Sequence, residues 1–327
     1  MNTEKRKTGL AVLLNNKVFT TALILAIMVI IAIVFAPNFL SAYNMSSVFR
    51  DLAFIGMIAI AQSCLLLLGE LDLSVGSVAA LCGVIGGNLM VFKHVNGYLA
   101  FVIAILLGAL CGAINGTLIT RLNLNAMVLT IGMDGVYSGI TLVLTKGKAV
   151  TGIPEEIFFL GKGSLLKIPM PFVFTIIVLI VIVFLMRRTV FGRYVYAIGN
   201  SRNTAEILGI RVKRIRTAVF SIVGAVCGLA GMLMVARLGS SQPTIGANWP
   251  MNSIASSVIG GMALTGGIGN PIGALLGAAI ISVIQNFIVL IGVNAYWQSV
   301  VSGVVVVAAI SLDSIITILR SRPKKAK

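Results

Sequence analysis

Apolar residues run along this chain in long blocks, separated by short segments rich in glycine, lysine and arginine. Ten blocks are legible, at 18–36, 52–68, 75–92, 99–119, 126–145, 171–186, 218–235, 254–265, 272–291 and 299–318. A helix needs about 20 apolar residues to cross the hydrocarbon core of a bilayer. Backbone groups at that depth must be satisfied internally, so the blocks are expected as helices. The period-two alternation of a membrane barrel is not seen. The expected fold is all-α, a polytopic bundle of about ten transmembrane helices. No linker or low-complexity stretch interrupts it, so 1–327 reads as a single transmembrane domain with a tail at 1–17, a loop at 187–217 and a basic tail at 319–327.

Block 254–265 is the weakest, too short to cross unless its helix continues back toward Trp249. Charge placement bears on it. The loop 187–217 carries Arg187, Arg188, Arg193, Arg202, Arg211, Lys213, Arg214 and Arg216 against the single acid Glu206, and both termini are basic. Lysine and arginine gather on the cytoplasmic side, which places the loop and both termini there. Two cytoplasmic termini require an even number of crossings, hence ten, or eight if two weak blocks are re-entrant. The loop 146–170 then faces outward.

Composition agrees. The chain is 58% hydrophobic and 10% charged, with a mean hydropathy of +1.06. A soluble domain of this length does not read that way. The net charge of +16 lies in loops and tails rather than on one face, which points to topology and lipid contact, not to nucleic acid. Lys5, Arg6 and Lys7 precede the first block, but it is too long for a signal core and is followed by many more. Cys64, Cys82, Cys111 and Cys227 fall inside apolar blocks without metal-ligand spacing and read as packing residues. Glycines recur at four-residue spacing, as at Gly108/Gly112/Gly116 and Gly224/Gly228, which lets helices approach closely.

The densest polar chemistry lies at Gly69-Glu70-Leu71-Asp72-Leu73-Ser74-Val75-Gly76-Ser77, between the second and third blocks. Ionisable groups beside a bilayer are costly and mark candidate sites. The topology puts this turn at the cytoplasmic edge, where Glu70 and Asp72 can reach water or basic loops. It can be laid on 266–273, matching at Gly69/Gly266 and Gly76/Gly273, a weak hint of an internal repeat. No Gly-x-x-x-x-Gly-Lys-[Ser/Thr] phosphate loop occurs, and the one histidine, His94, has no nucleophile beside it in sequence. Catalysis within this chain is not expected. Transport would be driven either by an ion gradient or by a partner that hydrolyses nucleotide.

The 69–77 segment resembles the Gly-Gly-Ile-Asp-Leu-Ser-Val-Gly-Ser signature of permeases from sugar-type (ribose, xylose, galactose) ATP-binding-cassette importers, with Glu70 where that family usually has glycine. Gly192-Arg193 through Gly199-Asn200, then Ala205-Glu206 to Gly209-Ile210, resembles the family's Gly-Arg-x-x-x-Ala-x-Gly…Ala-x-x-x-Gly-Ile pattern. Gly112–Gly116, 236–244, 254–273 and 292–298 are similar to further family segments in the same order. The resemblance implies a coupling role for Gly192, Arg193, Gly199, Asn200, Glu206 and Gly209, as a short helix docking in an ATPase subunit. Ser201 or Asn203 offers the cap and Gly209 the stop. It also implies ATP and Mg on that partner and no cofactor here, an extracytoplasmic sugar-binding protein, a second permease copy, and residence in a bacterial inner membrane. The implied cargo is a monosaccharide; the same machinery for a furanosyl signalling molecule, nucleoside or amino acid, or an ion-coupled secondary transporter, are the alternatives.

Gln62, Asn115, Asp134, Gln285 and Asn286 lie within apolar blocks and are candidates for the solute path. Contacts between helices account equally for the three amides Gln62, Gln285 and Asn286, a broken backbone turn for Asn115, and pairing or protonation for Asp134.

Overall fold

A computed structural model describes residues 17–294 together with 297, 298, 300, 301, 303, 304, 307 and 311. The expected span 299–318, apart from those residues, and the tails at 1–16 and 319–327 lie outside the described residues. Helices dominate: α1 (Lys17–Phe35), α2 (Ala42–Leu67), α3 (Val75–Lys93), α4 (Gly97–Arg121), α5 (Ala126–Thr145), short α6 (Phe158–Lys162), α7 (Met170–Arg188), α8 (Val190–Asn200), α9 (Arg202–Ile207), α10 (Val212–Leu238), α11 (Trp249–Ile259) and α12 (Pro271–Leu290). Among the described residues, α1 to α5, α7, α10 and α12 are long and apolar enough to cross a membrane.

Polar side chains set the helix starts. Ser41, Asn96, Asn125 and Asn270 each accept a hydrogen bond from a first-turn backbone N–H, satisfying donors that a helix start leaves unpaired. Ser41 explains why α2 begins at Ala42, well ahead of the apolar block at 52. Its polar first turns are held by protein: Arg50 donates to the Lys162 carbonyl (3.2 Å) and Asp51 pairs with Arg237 (2.9 Å).

From Leu52 to Leu67, α2 is buried on every side, and it forms the central post of the bundle. Beside it α4 and α10 run antiparallel along a glycine seam. A methyl on Gly108 would lie 2.2 Å from the Gly224 carbonyl oxygen, and one on Gly112 would lie 2.1 Å from that of Phe220. Backbones can approach this closely only where Cβ is missing. On the periphery, α5 leaves Gly132, Gly135 and Gly139 facing open space.

Block 254–265 departs from the expectation of a full helix. The chain leaves α10 at Gly239 and follows α3 in a series of turns: Ser241 donates to the Gly83 carbonyl (3.0 Å), and Gly246 packs on Gly76. Only then does α11 begin. It reaches the start of α1, where Thr21 donates to the Ile259 carbonyl (3.2 Å) and Lys17 to that of Gly261 (3.2 Å). The helix does continue back to Trp249 but stops at Ile259, and the residues before it are a series of turns. Eleven helical residues cover about 16 Å, roughly half a bilayer core.

One end of the bundle carries α8, α9 and the turns at 68–74 and 260–270, and is the basic end. The far end carries 94–96 and 146–169, including a 3₁₀ turn (Glu155–Ile157) and a small hairpin, β1 (Ser164–Leu165) with β2 (Ile168–Pro169).

Candidate functional site

At the basic end, α8 lies across the end of α2 and the turn 260–270 that follows α11. Gly69 ends α2 in the left-handed region (φ +76). Its N–H bonds to the Leu66 carbonyl and that of Glu70 to Leu65, both 2.9 Å, the paired bonds of a Schellman stop. Gly267 then donates to the Leu67 carbonyl (2.9 Å), tying the 260–270 turn to the same helix end. Over this bond sits Gly199, whose missing methyl would lie 1.8 Å from the Leu67 oxygen. Tyr196 adds a bond to the Gly269 carbonyl (3.0 Å). The turns 69–76 and 266–273, paired in the sequence comparison, are direct neighbours through Gly69 and Gly266.

The rest of the 187–217 segment is equally specific. Gly192 permits the corner between α7 and α8, since a methyl there would meet the Met186 carbonyl oxygen at 2.1 Å. Ser201 caps α9 through the Thr204 N–H (3.3 Å), and Gly209 (φ +79) closes it with its own Schellman bonds. Glu206 pairs with Arg202 at the surface (3.3 Å), and Arg193 and Asn200 are exposed. Ile207 and Leu208 stand 85% and 72% exposed at the tip of α9, an apolar pair beyond the bundle.

The two carboxylates of the 69–77 turn part company. Glu70 forms a largely buried ion pair with Arg216 of α10. Burial pushes its carboxyl above the usual carboxylate range, and the Arg216 guanidinium opposes that push. Asp72 does not reach water, contrary to its expected place at the edge. It is 3% exposed and accepts from the Ser74 N–H (2.8 Å) and hydroxyl (2.6 Å). Asn115 donates to Ser74 Oγ (3.0 Å), Tyr137 to Asn115 Oδ1 (3.0 Å), and Ser77 to the Ser74 carbonyl (2.9 Å). Gly76 closes the contact with Gly246. The re-entrant turn is thus plugged into α4 and α5 by a polar network inside the bundle.

The far-end half contains a cavity with lobes of about 630 and 370 Å³, which share Ile55, Trp249, Gln285 and Gln298. Gln285 and Asn286 line it from α12. Gln62, Asn115 and Asp134 do not. Gln62 is wholly buried in α2 with no hydrogen-bond partner for its amide, Asn115 belongs to the Asp72 network, and Asp134 is half-buried on α5. Asn286 and Asn44 exchange amide bonds (3.0 and 2.8 Å), tying α12 to α2. Trp249, Asn252, Ser282 and the Asp51–Arg237 pair also line the cavity. The sequence does not mark them as lining residues because they converge only once the turns before α11 are in place.

Among the described residues, eight long apolar helices with a capped helical segment laid across the end of α2 and the turn after α11 define a polytopic membrane protein. The chain matches the family described as "Branched-chain amino acid transport system / permease component" over residues 44–310, and it belongs to that family. It is 36% identical over 291 residues to the ribose import permease of Bacillus subtilis, covering 88% of this chain and 90% of that one. The D-allose permease of Escherichia coli is 34% identical over 301 residues (91% and 92%), and the L-arabinose ABC transporter permease of Azospirillum brasilense 33% over 277 (85% and 81%). No solved structure matches. The chain is therefore a multi-pass inner-membrane permease component, a part of a transport system and not an enzyme.

Proposed function

We propose that this chain is the membrane-spanning subunit of an ATP-driven importer of a monosaccharide. Two copies, or one copy and a similar permease, surround the path in the lipid bilayer. ATPase subunits that hold ATP and Mg sit below, and a soluble sugar-binding protein delivers cargo from outside. The sugars for which the three relatives are named, ribose, allose and arabinose, favour a sugar over an amino acid. The single observation that carries the coupling role is α8–α9: its inner side is wedged at Gly199 against the end of α2 and the turn after α11, while Ile207 and Leu208 project outward. A partner that grips the tip moves both turns together. The segment 187–217 is thus the cytoplasmic coupling loop, with Gly192 and Gly209 shaping it and Arg193, Asn200 and Glu206 on its surface.

The test is uptake of labelled ribose, allose and arabinose into proteoliposomes that contain the chain with its ATPase and binding protein. ATP-dependent uptake of one of them is expected. Leu208→Asp should leave ATP hydrolysis running while uptake falls at least about ten-fold, the effect of losing about 1.4 kcal/mol of coupling. Uptake that persists on an ion gradient without ATP would refute the class, and unchanged uptake in Leu208→Asp would refute the coupling role.

A further inference from the structure

We infer that the far-end cavity is a sugar-binding vestibule within the permease itself, formed where α11 begins in the middle of the membrane. This rests on the reading of the chain as a sugar permease and adds where, and by which groups, the cargo is held. Four observations meet at one place. A discontinuous crossing starts its half-helix at Trp249, on the cavity wall; such breaks near the midplane are where transported solutes are held. Arg237 lies over the Phe54 ring (5.5 Å to the centroid), and Phe54 stacks on Trp249 (5.8 Å, 18° between planes), so a cation and two aromatic rings form a fixed column along one side. Amide side chains from three elements face the space: Asn248, Asn252 and Gln285. Ser282, 2% exposed, lines the smaller lobe with a hydroxyl that has no hydrogen-bond partner among the described residues.

The chemistry selects a neutral polyol. An amide supplies both donors and acceptors, as a sugar hydroxyl requires. Among the described residues, the one acid and one base of the lining, Asp51 and Arg237, neutralise each other at 2.9 Å. A zwitterionic amino acid is favoured where several free N–H groups of a helix N-terminus face its carboxylate, and the start of α11 is poor in them. The Trp249 N–H is bonded to the Gly246 carbonyl (2.9 Å) and Pro250 has no N–H, which leaves Met251 alone among the first three positions to donate to an anion.

Cysteine protection tests this in cells that carry the complete importer. The four native cysteines are buried, so Ser282→Cys supplies the reactive thiol, and Met251→Cys, on an exposed wall position, is the second variant if the first fails to insert. A membrane-impermeant methanethiosulfonate is added from outside with ribose, allose, arabinose or leucine. The sugar that the importer takes up should slow labelling about ten-fold at ten times its Kd, by simple occupancy, and leucine should not. The inference is overturned if both introduced thiols are unreactive, if the imported sugar leaves both rates unchanged while ATP-dependent uptake continues, or if leucine alone protects. Failure of the class reading looks different: the unmodified importer would take up sugar without ATP.

Discussion

Replacing Gly199 by alanine should break the link between α8 and the transmembrane helices without unfolding either. The added methyl would lie 1.8 Å from the Leu67 carbonyl oxygen and 2.6 Å from the Gly267 nitrogen. Ordinary contact starts at 3.4 Å, so α8 must withdraw by about 1.5 Å at that point. The neighbours cannot yield easily, because both are backbone atoms bonded to each other at 2.9 Å. Overpacking of this kind costs about 1–3 kcal/mol, and loss of the Gly267–Leu67 bond would add about 1 kcal/mol. Alanine is the better helix former by about 1 kcal/mol, so α8 stays helical and the contact is what gives way. A coupling loss of 1–3 kcal/mol corresponds to roughly 5–150-fold. The assay measures ATP hydrolysis and labelled-sugar uptake in parallel in proteoliposomes. Hydrolysis should hold within about two-fold while sugar carried per ATP falls at least about ten-fold. An unchanged ratio in a folded Gly199→Ala importer would refute the claim that α8 acts through this contact.

Two further outcomes follow from the packing and the charges. Gly224→Ala puts a methyl 2.1 Å from the Gly108 carbonyl oxygen and should destabilise the purified protein by about 1–3 kcal/mol; Gly135→Ala, with nothing within 4 Å, should leave the melting temperature unchanged or raised, and equal effects would refute the seam. Arg216→Met removes the main opposition to the burial that already raises the Glu70 carboxyl above 4.5. A raised folded value gives stability that is full below the unfolded value and lost as pH rises, so the variant should match wild type most closely near pH 4.5 and fall behind by about 3–5 kcal/mol toward pH 8. Glu70→Leu in the same chain should recover it. Parallel melting curves across pH would show that the pair carries no such charge.

Hydropathy made the long helices legible, since each lies in lipid or in an apolar bundle and its sequence must be apolar either way. The α9 segment was legible because its signals are local: the cap at Ser201 and the left-handed stop at Gly209 lie within nine residues of each other. What failed were statements that needed partners distant in sequence. Asp72 read as water-accessible because its neighbours in the chain are a turn, yet the groups that bury it are Asn115 and Tyr137 on two other helices. Arg50 and Asp51 read as outside the second span because the partners that admit them into α2, Lys162 and Arg237, lie 112 and 186 residues away. The stretch 240–248 has no periodicity to reveal that it packs inside the bundle, because its backbone is a run of turns (Ile245 N–H to Gln242 and Ala247 N–H to Thr244, both 3.3 Å) seated on α3 through Ser241 and Gly246.

The same broken crossing supplies a mechanical argument for the proposed transport cycle. One end of α11 is Trp249 at the wall of the cavity; the other is Ile259, leading directly into the glycine turn that Gly199 and Tyr196 hold. A helix of three turns moves as a rod, whereas the segments on either side of it bend at glycines: Gly246 (φ +77) before it, Gly261 (φ +87) and Gly266 (φ +91) after it. Motion imposed on α8 at the basic end therefore reaches the cavity wall about 16 Å away through one rigid element with a hinge at each end. Laterally it is held on both sides. Toward α12 the rod is locked by glycine contacts, where a methyl on Gly277 would lie 1.9 Å from the Ser256 carbonyl oxygen, and one on Gly273 2.1 Å from that of Gly260. Toward α2 it is tied by the bond from Ser257 to the Ala59 carbonyl (3.2 Å), and α12 is bound to α2 in turn by the Asn44–Asn286 amide pair. Motion of the rod should therefore carry α12 and the adjoining part of α2 with it, so that the cavity changes shape at Gly246, where the chain bends into α11, rather than by sliding of α11 past either neighbour.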